Sequence, residues 1–190
     1  FLKIIDANQT PFPDGSSGRL QLAEKIVGPN NPLTARVFVN RVWGYLMGSY
    51  IVDTPSDFGL QGSPPTHLEL LDWLAADFVE HGWSIKHLVR TIVLSQTYQQ
   101  RSDYRDDGVN TDLQNKLLWR GNRKHLSIEA IRDSLLSASR QLDPTPRGHA
   151  GKLWTNGYTK RRAIYGYINR FNLDPTLRAF DFPTPVQSQP

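Results

Sequence analysis

The sequence predicts a mainly α-helical fold: an irregular helical domain with long ordered loops and at most a short β element. Apolar residues recur at intervals of three or four in several segments, which places them on one face of a helix. Residues that start and stop helices flank these segments, and only one short segment alternates in the manner of a strand. The 190 residues, of which 38% are hydrophobic, suffice for a substantial core.

The best-marked helix begins after Asn31. Asn31 is a favourable N-cap, and Pro32 suits the first helical position because the backbone N–H that proline lacks would have no partner there. The apolar residues that follow share one broad face. They are Ala35, Phe38, Val39, Val42, Trp43 and Leu46. A shorter helix is predicted before it, at about 17–27.

A third helix is predicted from a capping box, in which Thr66 and Glu69 satisfy each other's backbone N–H groups. Its buried face is expected to consist of Leu68, Leu71, Leu74, Ala75 and Phe78. Gly82 should end the helix in a left-handed conformation, with Trp83 folded back over it. A fourth helix should begin near Ser84 and pack against the third.

The second half of the chain contains fewer clear elements. Residues 99–116 are polar and rich in Asp and Asn, which indicates a surface loop. A further helix is predicted over 127–142. Its apolar residues in phase are Ile128, Ile131, Leu135, Ala138 and Leu142. Residues 161–168 alternate weakly and are the candidate for a short strand.

The predicted organisation is one helical domain over 17–185. Before it, residues 1–16 pass from a short apolar run into Pro, Gly and Asp, which is typical of an arm or linker. After it, residues 186–190 form an extended tail.

The composition excludes several kinds of site. The chain has no cysteine, so these residues provide no disulfide, thiolate metal site, cysteine nucleophile or c-type haem attachment. No apolar run approaches the roughly 20 residues of a membrane-spanning helix, so no membrane span is predicted. The sequence also lacks the G-x-S-x-G, P-loop and G-x-G-x-x-G motifs of common hydrolases and nucleotide-binding proteins.

A polar stripe interrupts the apolar second helix. It consists of Arg36 and Asn40 with the neighbouring Arg41, and Asp53 and Asp57 follow within the segment DTPSDFG. A cation beside so many apolar residues needs a carboxylate, because burying an unpaired charge costs several kcal/mol. We therefore predict that the arginines pair with the two aspartates and fix the loop against the helix. The alternative is that the five residues bind a ligand or a substrate.

Gly44 lies on the same stripe. Glycine in a helix interior costs about 1 kcal/mol relative to alanine. Its presence is consistent with a close approach of the following loop.

The histidines do not predict a metal site. None of the pairs formed by His67, His81, His87, His125 and His149 has an H-x-x-x-H or H-E-x-x-H spacing. The segment DYRDDGVNTD resembles a calcium loop only superficially, since Arg105 stands where an oxygen ligand is needed. We expect no metal and no cofactor within this chain.

Other charged groups have structural explanations. Glu129 and Asp133 are one helical turn apart, but paired carboxylates on a polar helix face usually form salt bridges. The basic groups are Arg120, Arg123, Lys124, Lys160, Arg161 and Arg162. They are short clusters without the interleaved aromatics of single-strand binders, so nucleic acid is not expected as a partner.

Trp73 is the apolar residue that the helical pattern does not place in the core. It points away from the predicted buried face of the third helix and lies among acidic residues. A tryptophan at such a position implies a second contact surface. We expect it to cover another part of this domain, and contact with a partner is the alternative.

Several long segments resemble one family. The run from NPLTARVFVNRVWG to SQTYQQRS is similar to the planctomycete-specific C-terminal domain of unknown function, of the PSD-one type. LLWRGNRKHLSIEAIRDSLL, RRAIYGYINR and FDFPTP resemble the same family in the same order. The resemblance covers roughly residues 19–185.

The resemblance implies a context rather than an activity. Such domains are similar to C-terminal parts of large exported proteins that also contain cytochrome-c-like and sometimes carbohydrate-binding-like modules. The family pattern continues beyond FDFPTP, so we expect this domain to be truncated on its C-terminal side, with some apolar surface belonging to a severed interface. We therefore expect a non-catalytic accessory domain, in a periplasmic or cell-surface protein, that contacts other domains of its polypeptide or a protein partner. The alternative is an enzymatic or ligand-binding domain, with carbohydrate as one candidate ligand.

Overall fold

The computed structural model describes residues 11–12, 14–28, 31–169, 171–180 and 182. These residues form eight α-helices and one 3₁₀ turn, and they contain no strand, which confirms the mainly helical fold. The helices are α1 (Arg19–Val27), α2 (Pro32–Met47), α3 (Leu68–Glu80), α4 (Ile85–Val93), α5 (Gln96–Gln99), α6 (Asp106–Thr111), α7 (Ile128–Ala138) and α8 (Pro175–Ala179).

The chain divides into two compact units, the first ending at Arg123 and the second beginning at Lys124. The single domain over 17–185 stays a prediction. The predicted tail over 186–190 lies outside the described residues. So do residues 1–10 of the predicted arm over 1–16. None of the described helices combines the length and the apolar character that a membrane span requires.

The core of the first unit lies where α2, α3 and α4 pack together. Phe38 of α2 stacks on Phe78 of α3 with ring centroids 5.0 Å apart. Most of the predicted apolar faces are buried here, but Leu68 is exposed. The buried apolar residues of this core are Ala35, Val39, Trp43, Met47, Ile51, Val52, Leu71, Leu74, Ala75, Phe78, Leu88 and Ile92.

The predicted helix ends are confirmed at three places. The Asn31 side chain accepts a hydrogen bond from the backbone N–H of Leu33, and the Ser84 side chain caps α4. After α3, Gly82 has φ 65°, and the N–H of Trp83 donates to the carbonyl of Phe78 at 2.9 Å. This is the Schellman ending that the sequence predicts, and it fixes the turn between α3 and α4.

The predicted capping box is wrong. Helix α3 begins at Leu68 with His67 as its N-cap, and no side chain caps it. The hydroxyl of Thr66 instead donates to the carbonyl of Ile51 at 3.2 Å, and the backbone N–H of Thr66 donates to the same carbonyl. Thr66 therefore joins the start of α3 to the loop that follows α2.

The polar segment 99–116 is more ordered than the predicted surface loop. It contains α6, and Gly108 and Asn115 within it are buried. The Asn115 side chain donates to the carbonyl of Arg120 and to the side chain of Asn122. Asn122 in turn donates to the carbonyl of Met47, so this segment is tied to the end of α2.

The second unit is organised around α7. This helix ends at Ala138 rather than at 142, and its buried residues are Ile128, Arg132 and Leu136. The predicted short strand over 161–168 is wrong, since Ala163–Tyr165 forms a 3₁₀ turn and the segment makes only two isolated bridges. The backbone there is held by side chains of α7 instead of by a sheet.

Gly44 gives a testable case of close packing. The ring of Tyr50 lies against Gly44, and a Cβ at that position would overlap with the ring. Gly44→Ala is expected to reduce the free energy of unfolding by about 1–3 kcal/mol, despite the higher helix propensity of alanine. Denaturant unfolding measures this change.

A second variant distinguishes the effect of the overlap with the Tyr50 ring from the effect of helix propensity. With Tyr50→Ala, the overlapping ring is absent, and Gly44→Ala should then stabilise the chain by up to about 1 kcal/mol. An equal effect in both backgrounds would contradict the packing explanation.

Candidate functional site

Asn40 is the predicted site residue whose role is clearest. It is fully buried, and its Oδ1 accepts hydrogen bonds from the N–H groups of Ile51 and Val52 at 3.0 and 2.9 Å. Its Nδ2 donates to the carbonyl of Val52 at 3.0 Å. Asn40 therefore fixes the loop after α2, the role that the sequence analysis assigned to the arginines.

The predicted pairing of the arginines with Asp53 and Asp57 is wrong. Arg36 donates from Nε to Oδ1 of Asp72 on α3 at 2.7 Å, and from a terminal nitrogen to the carbonyl of Pro32. Arg41 is exposed and has no side-chain hydrogen bond or ion pair with any described residue. The ion pair of Arg36 joins α2 to α3 at the surface, where such pairs contribute little to stability.

The two aspartates do not pair with the arginines, and each has different surroundings. Oδ1 of Asp57 accepts a hydrogen bond from the N–H of Gly59 at 2.8 Å, within its own turn. Asp53 is exposed and lines a cavity of about 170 Å³ that Thr66, His67 and Lys116 also line. Neither Arg36, Asn40, Arg41 nor Asp57 lines that cavity. The structure therefore does not bring the five candidate residues to one site.

Trp73 lies on an apolar groove of the first unit. Its surface is 55% exposed, so the described residues cover less than half of it. The groove has a volume of about 270 Å³. Among its other lining residues are Leu70, Leu74, Ile92, Leu117 and Leu118. Trp73 therefore presents a large apolar side chain beside an open apolar depression.

A polar cluster that the sequence analysis did not anticipate lies at the junction of α3 and α4. Nε2 of His87 is 2.9 Å from Oδ2 of Asp77, and Nδ1 of His81 is 3.2 Å from Oδ1 of the same carboxylate. The two imidazole rings are stacked, with centroids 3.8 Å apart and planes within 11°. Potential ligand atoms of the three residues all lie within 4.8 Å of one another.

The signal for this cluster was present in the sequence. Asp77 and His81 are four residues apart on one helix, which places them on one face. A search restricted to pairs of histidines overlooks this spacing. His87 joins them because the turn at Gly82 folds α4 back against α3.

The remaining charged candidates have internal partners. The carboxylate of Asp133 accepts hydrogen bonds from the N–H of Ala163 at 2.9 and 3.0 Å and pairs with Arg132, so it does not form a free dyad with Glu129. Arg161 donates to the carbonyls of Arg147 and His149.

Arg161 also acts on a nearby carboxyl group. Hydrogen bonds from the side chain and the backbone of Thr145 lower the pKa of Asp143 below its ordinary value, and the charge of Arg161 lowers it further.

Three arginines of the predicted basic groups do contact aromatic rings, and one of them, Arg161, lies 5.3 Å from the ring centroid of Tyr165. The guanidinium of Arg120 lies 4.7 Å from the ring centroid of Tyr104 and 5.2 Å from that of Trp119. Arg123 lies 5.5 Å from Tyr104. Sequence inspection missed the ring of Tyr104 because Tyr104 is distant along the chain, whereas Trp119 is adjacent to Arg120. That nucleic acid is not a partner stays a prediction.

The second unit has an apolar groove of its own, of about 380 Å³, on one side of α7. Ile131 and Leu135 of α7 line it, together with Trp154, Tyr158 and Phe180. Leu135 is 66% exposed, although it is in phase with the other apolar residues predicted for this helix. The apolar pattern of α7 is therefore divided between the interior of this unit and an open surface.

The comparisons with known proteins identify a family but no activity. No curated protein and no solved structure matches the chain. The family model PSD1, described as "Protein of unknown function (DUF1553)", matches residues 18–190. The match covers nearly the whole chain and includes both units. The chain therefore belongs to the PSD1 family of proteins of unknown function.

Proposed function

We propose that this chain is a non-catalytic helical accessory domain that acts by interaction within a larger exported multidomain protein. Its partners are other domains of the same polypeptide or a separate protein. The exported location, periplasmic or at the cell surface, is proposed from the family resemblance. The family itself has no established function, so the proposal depends on the surfaces and sites of the chain.

The exposed Trp73 is the observation that supports this proposal most directly. Large aromatic side chains dominate the energetics of protein interfaces when they insert into a partner. Trp73 is 55% exposed beside the groove formed by Leu70, Leu74 and Ile92, so a partner could contact both. The groove beside Leu135 in the second unit is a further apolar surface of the same kind.

The polar residues of the predicted site support the same conclusion. Both amide atoms of Asn40 are hydrogen-bonded to backbone groups, and Arg36 is paired with Asp72. A catalytic site needs several such groups around a common cavity. Of the five predicted site residues, Asp53 alone lines one of the three cavities described above for this part of the chain. That cavity is the one that Thr66 also lines. The enzymatic or ligand-binding alternative, with carbohydrate as a candidate ligand, therefore has less support.

Trp73→Arg tests the proposal. The long arginine stem still covers the groove, while its charge opposes burial in an apolar interface. Hydrogen–deuterium exchange is measured in the 190-residue chain and in the longer polypeptide of which it is proposed to be part. We expect slower exchange around Trp73 in the longer polypeptide, and loss of this protection in the variant. Loss of such a central residue weakens an interface by about 2 kcal/mol or more.

Leu60→Arg is the matched control. Leu60 is fully exposed and does not line the groove, so its replacement should leave the exchange protection unchanged. Equal exchange of the Trp73 region in the chain and in the longer polypeptide would contradict the proposed interaction through this surface.

A further inference from the structure

We infer that Asp77, His81 and His87 form a binding site for a divalent transition-metal ion, with Zn²⁺ the best chemical match. The inference departs from the sequence expectation of no metal in this chain. It does not depend on the proposed interaction role. Potential ligand atoms of the three residues lie within 4.8 Å of one another, although the residues come from two different helices.

The separations of the ligand atoms suit one ion. Donor atoms bound to a single tetrahedral Zn²⁺ at about 2.1 Å lie roughly 3.4 Å apart. The two nitrogen–oxygen separations at Asp77 are 2.9 Å to His87 and 3.2 Å to His81. Without an ion, Nε2 of His87 donates to the carboxylate of Asp77, and Nδ1 of His81 donates to the backbone carbonyl of Asp77 at 2.9 Å. An ion bound by both imidazoles would displace these protons and require one of the two stacked rings to rotate, because the ion lies near the plane of each ring that binds it.

The backbone around the site is already fixed. Asp77 is partly buried in the last turn of α3, and its side chain is 15% exposed. The Schellman ending at Gly82 and the cap by Ser84 set the position of α4, and with it that of His87. A preorganised site of this kind loses little conformational entropy when it binds an ion. His81, with a side chain 46% exposed, leaves the site open to solvent.

The ligand set determines the class of ion. Two imidazoles and one carboxylate suit zinc and related first-row ions, whereas calcium and magnesium require oxygen ligands. The site also lies at the C-terminal end of α3, where the helix dipole favours a cation. Three protein ligands leave at least one coordination position for water or for a ligand of the ion.

Titration with Zn²⁺ alone tests the inference. Isothermal titration calorimetry of the 190-residue chain should show one saturable site. In NMR spectra recorded with Zn²⁺, the imidazole resonances of His81 and His87 should shift, while those of His125 should not. His81→Gln should weaken Zn²⁺ binding by about 10-fold or more. This substitution is on the surface, so the fold should be retained, and the melting curve without Zn²⁺ verifies this.

His125→Gln is the matched control because it removes one exposed histidine outside the cluster. It should leave the affinity unchanged, as expected if Zn²⁺ binds at the cluster and not at an exposed histidine such as His125. Asp77→Asn keeps the shape of the side chain and removes its charge, and it should also weaken binding by about 10-fold or more. Absence of saturable binding, or equal affinity in the parent chain and His81→Gln, would overturn the assignment. The cluster would then be a hydrogen-bonded His–Asp–His group.

Discussion

Replacing Asn40 by leucine is expected to lower the free energy of unfolding of the first unit by at least about 3 kcal/mol. Leucine has a similar volume but no polar atoms, so the N–H groups of Ile51 and Val52 and the carbonyl of Val52 would lose their partners. Ile51 and Val52 are only 1% and 2% exposed, so water cannot replace the amide. Each backbone group left unsatisfied in the interior costs about 1–3 kcal/mol.

Thermal unfolding measures this effect. A loss of about 3 kcal/mol corresponds to a fall in melting temperature of roughly 6–12 °C for a chain of this size. Arg41→Leu is the control, since it introduces the same side chain at the neighbouring, exposed position and should change stability by less than about 0.5 kcal/mol. Similar melting temperatures for both variants would contradict a structural role for Asn40 and revive the ligand-binding alternative.

The elements that sequence predicted well are governed by local interactions. The start of α2 depends on Asn31 and on the proline after it, and the end of α3 depends on Gly82 and Trp83. In each case the residues that form the cap are adjacent in the chain. Helical spacing was equally informative for α2, α3 and α4, because these helices pack on one another through a single apolar face.

The wrong predictions concern partners that are distant in sequence. Arg36 and Asp53 are close along the chain, yet Arg36 pairs with Asp72 because α3 packs beside α2. Thr66 has the sequence of a capping box, but its hydroxyl bonds to the carbonyl of Ile51. Periodicity predicts which face of a helix is buried. It does not show which helix lies opposite, so it cannot assign ion pairs between elements.

The candidate site could be predicted only in part, because sequence spacing does not show which polar groups of the loop meet α2. The sequence analysis expected the arginines of α2 to hold the following loop, whereas Asn40 holds it, and it correctly expected Gly44 to lie against that loop. It chose the arginines because a charge next to apolar residues requires a partner. Asn40 has no charge, but its amide offers both a donor and an acceptor, and two adjacent residues of the loop need both.

Helix α7 shows how a buried charge changes the pattern. Its buried residues are four positions apart, at Ile128, Arg132 and Leu136, whereas the apolar Leu135 is exposed. A search for apolar residues in phase therefore selected a face rotated towards Leu135. Arg132 could not be assigned to the interior from sequence, because its partners are mainly backbone carbonyls, which every residue has.

Arg132→Met is expected to lower the free energy of unfolding of the second unit by about 3 kcal/mol or more. The guanidinium of Arg132, a residue only 5% exposed, donates to the carbonyls of Leu153, Thr159 and Arg161 and pairs with Asp133. Methionine retains the apolar stem, but it provides no donor and loses the guanidinium that lies 5.8 Å from the ring centroid of Trp154. Three carbonyls would lose a hydrogen bond, and the loop between α7 and the 3₁₀ turn would lose its main attachment to the helix.

Hydrogen–deuterium exchange resolves this effect to the second unit, where residues 151–163 should exchange much faster in Arg132→Met. Arg162→Met is the control, because Arg162 is exposed and has no side-chain partner among the described residues. Arg132→Lys separates charge from geometry. Lysine keeps the charge, but its single ammonium group cannot reproduce the planar set of donors that reaches three carbonyls, so it should recover only part of the stability. Full recovery by lysine would show that the charge beside Asp133, rather than the carbonyl contacts, stabilises the loop.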